Sequence, residues 1–199
     1  MTVPPLANSA RGYGLVAILL HWVMAVLLLV LFALGLYMVD LDYTHPWYRT
    51  APHIHRSLGV LAFLLLAVRW GWRLANPLPV PAGRPWERRA ALWVHRLFYL
   101  LVAAVAVSGW LISTADGRPV SVFGWFEVPA VFYGHENQED TAGWIHRWLA
   151  WGLMALAGLH TAAALKHHLV DRDATLRRML VPAGGTHPPS STTREDEMP

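Results

Sequence analysis

The stretch LVAILLHWVMAVLLLVLFALGLYMV, residues 15–39, decides the class of fold. It contains no Asp, Glu, Lys or Arg. At about 1.5 Å of rise per residue, a helix of this length crosses a hydrocarbon core of roughly 30 Å. The stretch is too long and too rich in Leu for the core of a signal peptide, and no small-residue cleavage site precedes Asp40 and Asp42. We therefore interpret it as a retained transmembrane helix.

Three further apolar stretches have the same character, and the chain of 199 residues is 55% hydrophobic, which is high for a soluble domain. The sequence predicts an all-α integral membrane four-helix bundle. We expect a single domain over residues 15–181, between an N-terminal segment (1–14) and a tail (182–199) whose Pro, Ser, Thr and Gly content predicts disorder. The predicted helices are about 15–39, 54–74, 90–112 and 143–165.

Basic residues fall on one predicted side of the membrane. The first and third connections carry only Arg49 and Arg118, together with several acidic residues. Because cytoplasmic loops retain positive charge, we expect both termini to be cytoplasmic. The basic side comprises Arg11, Arg69, Arg73, Arg84, Arg88, Arg89, Lys166, Arg172, Arg177 and Arg178.

The connections between the helices differ in kind. Prolines in the second connection, residues 76–86, forbid a continuous helix and predict a short, stiff turn. The third is about 30 residues long by the predicted helix bounds, longer than is usual in bundles, and contains aromatic residues. We expect it to fold over the outer end of the bundle.

Composition excludes several classes of function. With no Cys, the chain forms no disulfide, iron–sulfur cluster, thiolate zinc site or covalent c-type haem, so any metal is held by His, Met or carboxylate. The net charge of +3 does not indicate nucleic-acid binding, because the basic residues flank apolar segments.

Histidines within the predicted helices are the main functional signal, since ionisable residues in a membrane usually mark a site. His21 and His160 have similar depths near the inner face, and His55 and His146 near the outer face. His146 and His160 are fourteen positions apart, about 21 Å along one face of a helix. These level pairs favour two stacked bis-histidine haems over a zinc site, which needs three or four clustered ligands.

Alternatives remain at several positions. His95 has nearly the depth of His21, and spacing alone does not choose between them; His53 competes with His55 in the same way. Each histidine also has a purely structural interpretation as a hydrogen-bonding residue between helices. His167 and His168 fit a quinone site or simple headgroup contact, with the latter favoured. His45, His135 and His187 are interpreted as solvated.

Haem propionates need neutralising cations, and Arg56 and Arg147 each directly follow a proposed outer ligand. Snorkelling to lipid headgroups explains each arginine equally well. Gly59 lies one turn beyond His55 and would let a porphyrin approach the backbone, although helix packing is the commoner role of such glycines. On the inner side, the candidates for propionate contact are Arg69, Arg73 and Arg96.

The chain resembles the bacterial cytochrome b561 family, which is related to the cytochrome b subunits of nickel–iron hydrogenases. The resemblance covers about residues 13–180 and is specific only when its motifs are taken together. These are His21-Trp22, Ile54-His55-Arg56-Ser57-Leu58-Gly59, His95 followed by Tyr99, Trp144-Ile145-His146, Gly158-Leu159-His160 and Lys166-His167-His168.

The resemblance implies two haem b groups with His21, His55, His146 and His160 as iron ligands, and makes His95 a non-ligand. It implies transmembrane electron transfer in the bacterial inner membrane between an outer-face donor and the quinone pool. The family includes a superoxide oxidase that reduces ubiquinone. An alternative is a membrane-anchor subunit for a dehydrogenase, reductase or hydrogenase partner, and another is a histidine-lined transporter without haem.

Overall fold

A computed structural model describes residues 5–10, 12–80 and 83–183. Its four long helices are α1 (Leu15–Val39), α2 (Thr50–Ala75), α3 (Pro85–Ser113) and α4 (Gln138–Leu169). Each is long and apolar enough to cross a membrane. The prediction of an all-α four-helix membrane protein is therefore confirmed.

Three of the helices are longer than the sequence predicts, because their polar ends continue the helix beyond the apolar span. α3 begins at Pro85, inside the segment predicted as a turn, since proline is well accommodated at the first helical position. α4 gains a turn at each end, where Glu139 and Asp140 lie near its N-terminus and Lys166 near its C-terminus. Charges of these signs complement the helix dipole.

The bundle packs α1 against α2, α2 against α3, and α3 against α4. Each helix contributes one residue to a small buried core, formed by Met24, Leu66, Val102 and Leu153. Large apolar side chains cover the outside; Leu100 and Leu159, for example, are each 65% exposed. A surface of this kind suits a lipid solvent, because hydrocarbon does not disfavour apolar exposure as water does.

The two ends of the bundle are built differently. At one, which we call the hairpin end, strands β1 (Val120–Val122) and β2 (Phe126–Val128) pair antiparallel within the third connection. This hairpin packs on α2. The amide of Phe123 donates to Ser57 Oγ at 3.1 Å. That bond holds Phe123 at a positive φ of 50°, an uncommon conformation for a residue with a side chain.

The other end, which we call the terminal end, gathers the first and last described segments of the chain and the described part of the second connection. The indole of Trp22 donates to the Met179 carbonyl at 2.7 Å, and the Ala183 amide donates to the Tyr13 carbonyl at 3.0 Å. The predicted tail therefore overlaps this packed region by two residues, while 184–199 lie outside the described residues. So do 1–4, Arg11 and residues 81–82. The cytoplasmic location of this end stays a prediction from charge.

Candidate functional site

The structure brings together the two histidine pairs that the sequence predicts. The ring centres of His55 and His146 lie 6.1 Å apart, and those of His21 and His160 lie 6.4 Å apart. Two imidazoles that bind one metal from opposite sides have centres about 6 Å apart, given a metal–nitrogen bond of about 2.0 Å and the half-width of each ring. Both pairs have the spacing of axial ligands.

The hairpin-end pair lies deeper in its helices than expected. His55 is five residues inside α2 and His146 eight residues inside α4, instead of at the helix ends, because both helices begin earlier than predicted. The predicted helix starts, at residues 54 and 143, placed His55 at the opening of its helix and His146 within the first turn of its own, and these depths were underestimated. Their pairing is unaffected, since the two ring centres lie 6.1 Å apart.

Hydrogen bonding fixes the orientation of His146. Its Nδ1 atom lies 2.9 Å from the Val105 carbonyl oxygen and 3.2 Å from Ser108 Oγ, both on α3. A backbone carbonyl only accepts, so Nδ1 carries the hydrogen and Nε2 keeps a free lone pair. Metal-bound histidines are commonly held in this way. Sequence reasoning missed Val105, because a backbone acceptor leaves no trace in residue type, and Ser108, because its contact depends on how α3 is rotated against α4.

At the terminal end, His160 has two histidine neighbours. Its ring centre lies 6.4 Å from that of His21 and 5.6 Å from that of His95. The ring of Phe98 flanks it at 5.4 Å. Geometry therefore keeps open the choice that spacing left open, with both rings within reach of a metal bound to His160.

The ring nitrogens of His95 and His21, the two candidate partners of His160, have different hydrogen-bond partners. His95 Nδ1 lies 2.8 Å from the Ala91 carbonyl oxygen, which requires a hydrogen on Nδ1 and frees Nε2. His21 Nδ1 lies 3.1 Å from Nη2 of Arg69. Arginine only donates, so Nδ1 of His21 accepts and the hydrogen of the neutral ring is on Nε2. His21 must exchange this tautomer before Nε2 can bind a metal.

Other histidines lie apart from these pairs. His53 packs against Phe123 of the hairpin at 6.2 Å, and His135 stacks on Phe132 at 4.0 Å. His167 Nδ1 is 2.7 Å from Asp173 and 3.1 Å from Asp171, in a network that also joins Lys166 to Glu87. His45 lies 6.2 Å from Tyr37, His168 is exposed, and His187 falls outside the described residues.

The arginines predicted to neutralise propionates are distributed unevenly. Arg56 and Arg147 are exposed at the hairpin end, and Arg56 Nε donates to the Pro52 carbonyl at 3.3 Å. On the other side, Arg69 approaches the terminal-end histidines. Its Nη1 is buried without a hydrogen-bond partner within the described chain. The remaining two stack on aromatic rings, Arg73 at 5.9 Å from Tyr99 and Arg96 at 5.0 Å from Trp93.

The residues present fit a planar cofactor whose metal is bound by two histidines. A Cβ atom added to Gly59 would meet nothing within 4 Å, so open space lies one turn beyond His55, where the sequence predicts a close approach of porphyrin. The buried Nη1 of Arg69 offers an anion an unused donor, and an unpaired buried donor is costly unless something satisfies it. Both features suit an anionic, flat cofactor.

Residues 12–182 match the family described as prokaryotic cytochrome b561. The chain belongs to this family. It is 46% identical to cytochrome b561 homolog 2 of Escherichia coli strain K12 over 87% of its length and 93% of that protein. It is also 32% identical to the probable superoxide oxidase CybB of Yersinia pestis, over 85% of its length and 96% of that protein.

A third relative, cytochrome b561 homolog 1 of Escherichia coli, is 27% identical over 63% of this chain and 72% of its own. Membership of the family makes this chain a multi-pass bacterial membrane cytochrome of b type that transfers electrons. Haem b is the cofactor that the family implies. The resemblance stated from the sequence is thus confirmed.

Proposed function

We propose that this chain holds two haem b groups, one at each end of the bundle, and conducts electrons between them. His55 and His146 bind the iron at the hairpin end, and His160 with His21 binds the iron at the terminal end. Bound haem supplies reversible one-electron chemistry. The protein orients the ligands, separates the two sites and excludes water from them.

The observation that carries this proposal is the double role of α4. His146 and His160 project from one helix about 21 Å apart along its axis, and each meets a second imidazole at about 6 Å. A single metal site would need only one such meeting. An ion pathway would not require two facing pairs with this spacing.

The choice of His21 over His95 rests on the family resemblance, and Arg69 is the cation beside this site. If Nε2 of His21 held the iron, the ring hydrogen would be on Nδ1, and Nη2 of Arg69 would lose its acceptor there. Arg69 would then offer both Nη1 and Nη2 to an anion such as a propionate, which accepts charge-assisted hydrogen bonds.

For the outer donor we propose superoxide, with quinone in the membrane as acceptor. The support is the relative named a probable superoxide oxidase, together with exposed Arg56 and Arg147 beside the hairpin-end pair. A local positive potential attracts an anion. Arg118 contributes less, because its Nε is 3.0 Å from Asp116. We therefore propose that the chain lies in the bacterial inner membrane with its hairpin end on the outer face.

A reduced-minus-oxidised absorption spectrum of the purified protein, with haem quantified as the pyridine haemochrome, tests the cofactor proposal. We expect b-type bands and two haems per chain. One haem per chain would refute the two-site arrangement, and no b-type bands would refute haem binding.

The donor needs a separate assay. Superoxide generated enzymatically should reduce added ubiquinone faster with the protein than without it. The reference is the His146→Ala variant, which should lose this stimulation. Equal rates with both proteins would exclude superoxide oxidation through the hairpin-end site.

A further inference from the structure

Two glycines on different helices lie against the imidazoles of the hairpin-end pair. A Cβ atom at Gly109 of α3 would lie 3.1 Å from Cε1 and 3.2 Å from Nδ1 of His146. A Cβ atom at Gly35 of α1 would lie 3.3 Å from Cε1 of His55. Carbon atoms normally pack at about 3.5 to 4.0 Å. Each ring therefore rests against helix backbone that only glycine leaves accessible.

On α3, the carbonyl group four residues before Gly109 contacts the same ring as the glycine. The Val105 oxygen lies 2.9 Å from Nδ1 of His146. For His55 the structure shows the glycine contact alone, because its Nδ1 is buried and has no hydrogen-bond partner in the described part of the chain. Residues four apart lie on the same helix face, one turn above the other. At His146, carbonyl and glycine thus act on one ring together.

We propose two imidazole cradles that position the hairpin-end ligands: Gly109 with the Val105 carbonyl holds His146, and Gly35 holds His55. Each glycine lets a ring approach its helix, and at His146 the carbonyl also takes the Nδ1 hydrogen and leaves Nε2 free for the iron. Gly35 and Gly109 are positioning residues in this sense. The inference rests on the proposed haem ligation and extends it to residues outside the ligand set.

The two cradles predict how alanine in place of each glycine would affect the neighbouring imidazole. Alanine at position 109 would push the His146 ring by a few tenths of an ångström, lengthen its bond to Val105 and rotate its plane. The effect at position 35 should be smaller, because the contact there is longer. Alanine favours a helix more than glycine does, so neither change weakens the backbone of its own helix.

The test compares purified haem-loaded Gly109→Ala, Gly35→Ala and wild-type protein by electron paramagnetic resonance and by potentiometric titration. Low-spin ferric haem signals depend on the angle between the two imidazole planes. Gly71→Ala is the matched control, because a Cβ there would meet nothing within 4 Å. We expect one of the two haem signals, and its midpoint potential, to shift in Gly109→Ala. The shift should be smaller in Gly35→Ala and absent in Gly71→Ala.

Each other outcome contradicts the inference in a distinguishable way. Two haems in the wild type, with unchanged spectra and potentials in both Gly109→Ala and Gly35→Ala, would overturn the cradles alone. Equal shifts in both haem signals would indicate a general loosening of the bundle and would also overturn them. Absence of bis-histidine haem from the wild type would overturn the proposed function and the cradles with it.

Discussion

The ring of His146 faces that of His55 across the bundle with centres 6.1 Å apart, while its Nδ1 is tied to the Val105 carbonyl behind it. The same imidazole is therefore held from one side and free on the other. The hairpin-end site differs in this respect from the terminal-end site, where His160 has two histidine neighbours.

Removal of one ligand from α4 should affect one site. We expect His146→Ala to lose chiefly the hairpin-end haem and His160→Ala the terminal-end haem, because about 21 Å of helix separates them. Pyridine haemochrome quantification and the spectral components of each variant would show this. Loss of both components from either change would mean that the sites fold as one unit.

His21 and His95 can be distinguished by the same measurement. We expect His95→Ala to retain two haems and His21→Ala to lose the terminal-end haem. His95 would then only pack beside His160, with its Nδ1 satisfied by Ala91. The reverse result, two haems in His21→Ala and one in His95→Ala, would assign the ligand to His95.

Arg69 should raise the reduction potential of the terminal-end haem, because a nearby positive charge stabilises the added electron. We expect Arg69→Gln to lower that potential by on the order of 60 mV, the equivalent of about 1.4 kcal/mol for one electron. Arg96→Gln is the control, since the Arg96 guanidinium stacks on Trp93. Equal changes in the two variants would show a general effect of net charge.

Ser57 should anchor the hairpin to α2. It is fully buried, and its hydroxyl oxygen accepts a hydrogen bond from the Phe123 amide at 3.1 Å. Ser57→Ala should destabilise the hairpin by about 1 kcal/mol and speed hydrogen exchange at the Phe123 amide. Ser113→Ala is the comparison, because within the described residues that hydroxyl donates to the Gly109 carbonyl of its own helix. Unchanged exchange at Phe123 would show that strand pairing alone holds the turn.

Asp173 should fasten the C-terminal segment in a pH-dependent way. Burial acts to raise the pKa of its carboxyl, but hydrogen bonds from Thr175 and His167 outweigh burial and leave the pKa below its ordinary value. A depressed folded-state pKa contributes stability that is present above the ordinary value of 3.8 and is lost as pH falls through the lowered value.

Limited proteolysis near residue 173 over a pH series would detect this loss. We expect cleavage to increase in acid in the wild type, and Asp173→Asn to be cleaved readily already at neutral pH. If the wild type and the variant are cleaved equally at neutral pH, Asp173 does not hold the segment.

The sequence by itself determined the class of fold. Uncharged apolar runs such as residues 15–39 have the length of a bilayer span, and proline and charge positions mark the connections. It also indicated which histidines lie at similar depth, because rise per residue is constant in a helix. The helix ends were underestimated, since polar residues at an interface extend a helix without any hydrophobic signal.

Only the tertiary structure decided what surrounds each histidine. The contact of His146 with Gly109 and Val105, the bond from Arg69 to His21 and the approach of His95 to His160 depend on how neighbouring helices rotate against each other. A periodic pattern gives the face of one helix but not its partner's rotation. Backbone carbonyls, which are common to every residue, leave no mark in the sequence at all.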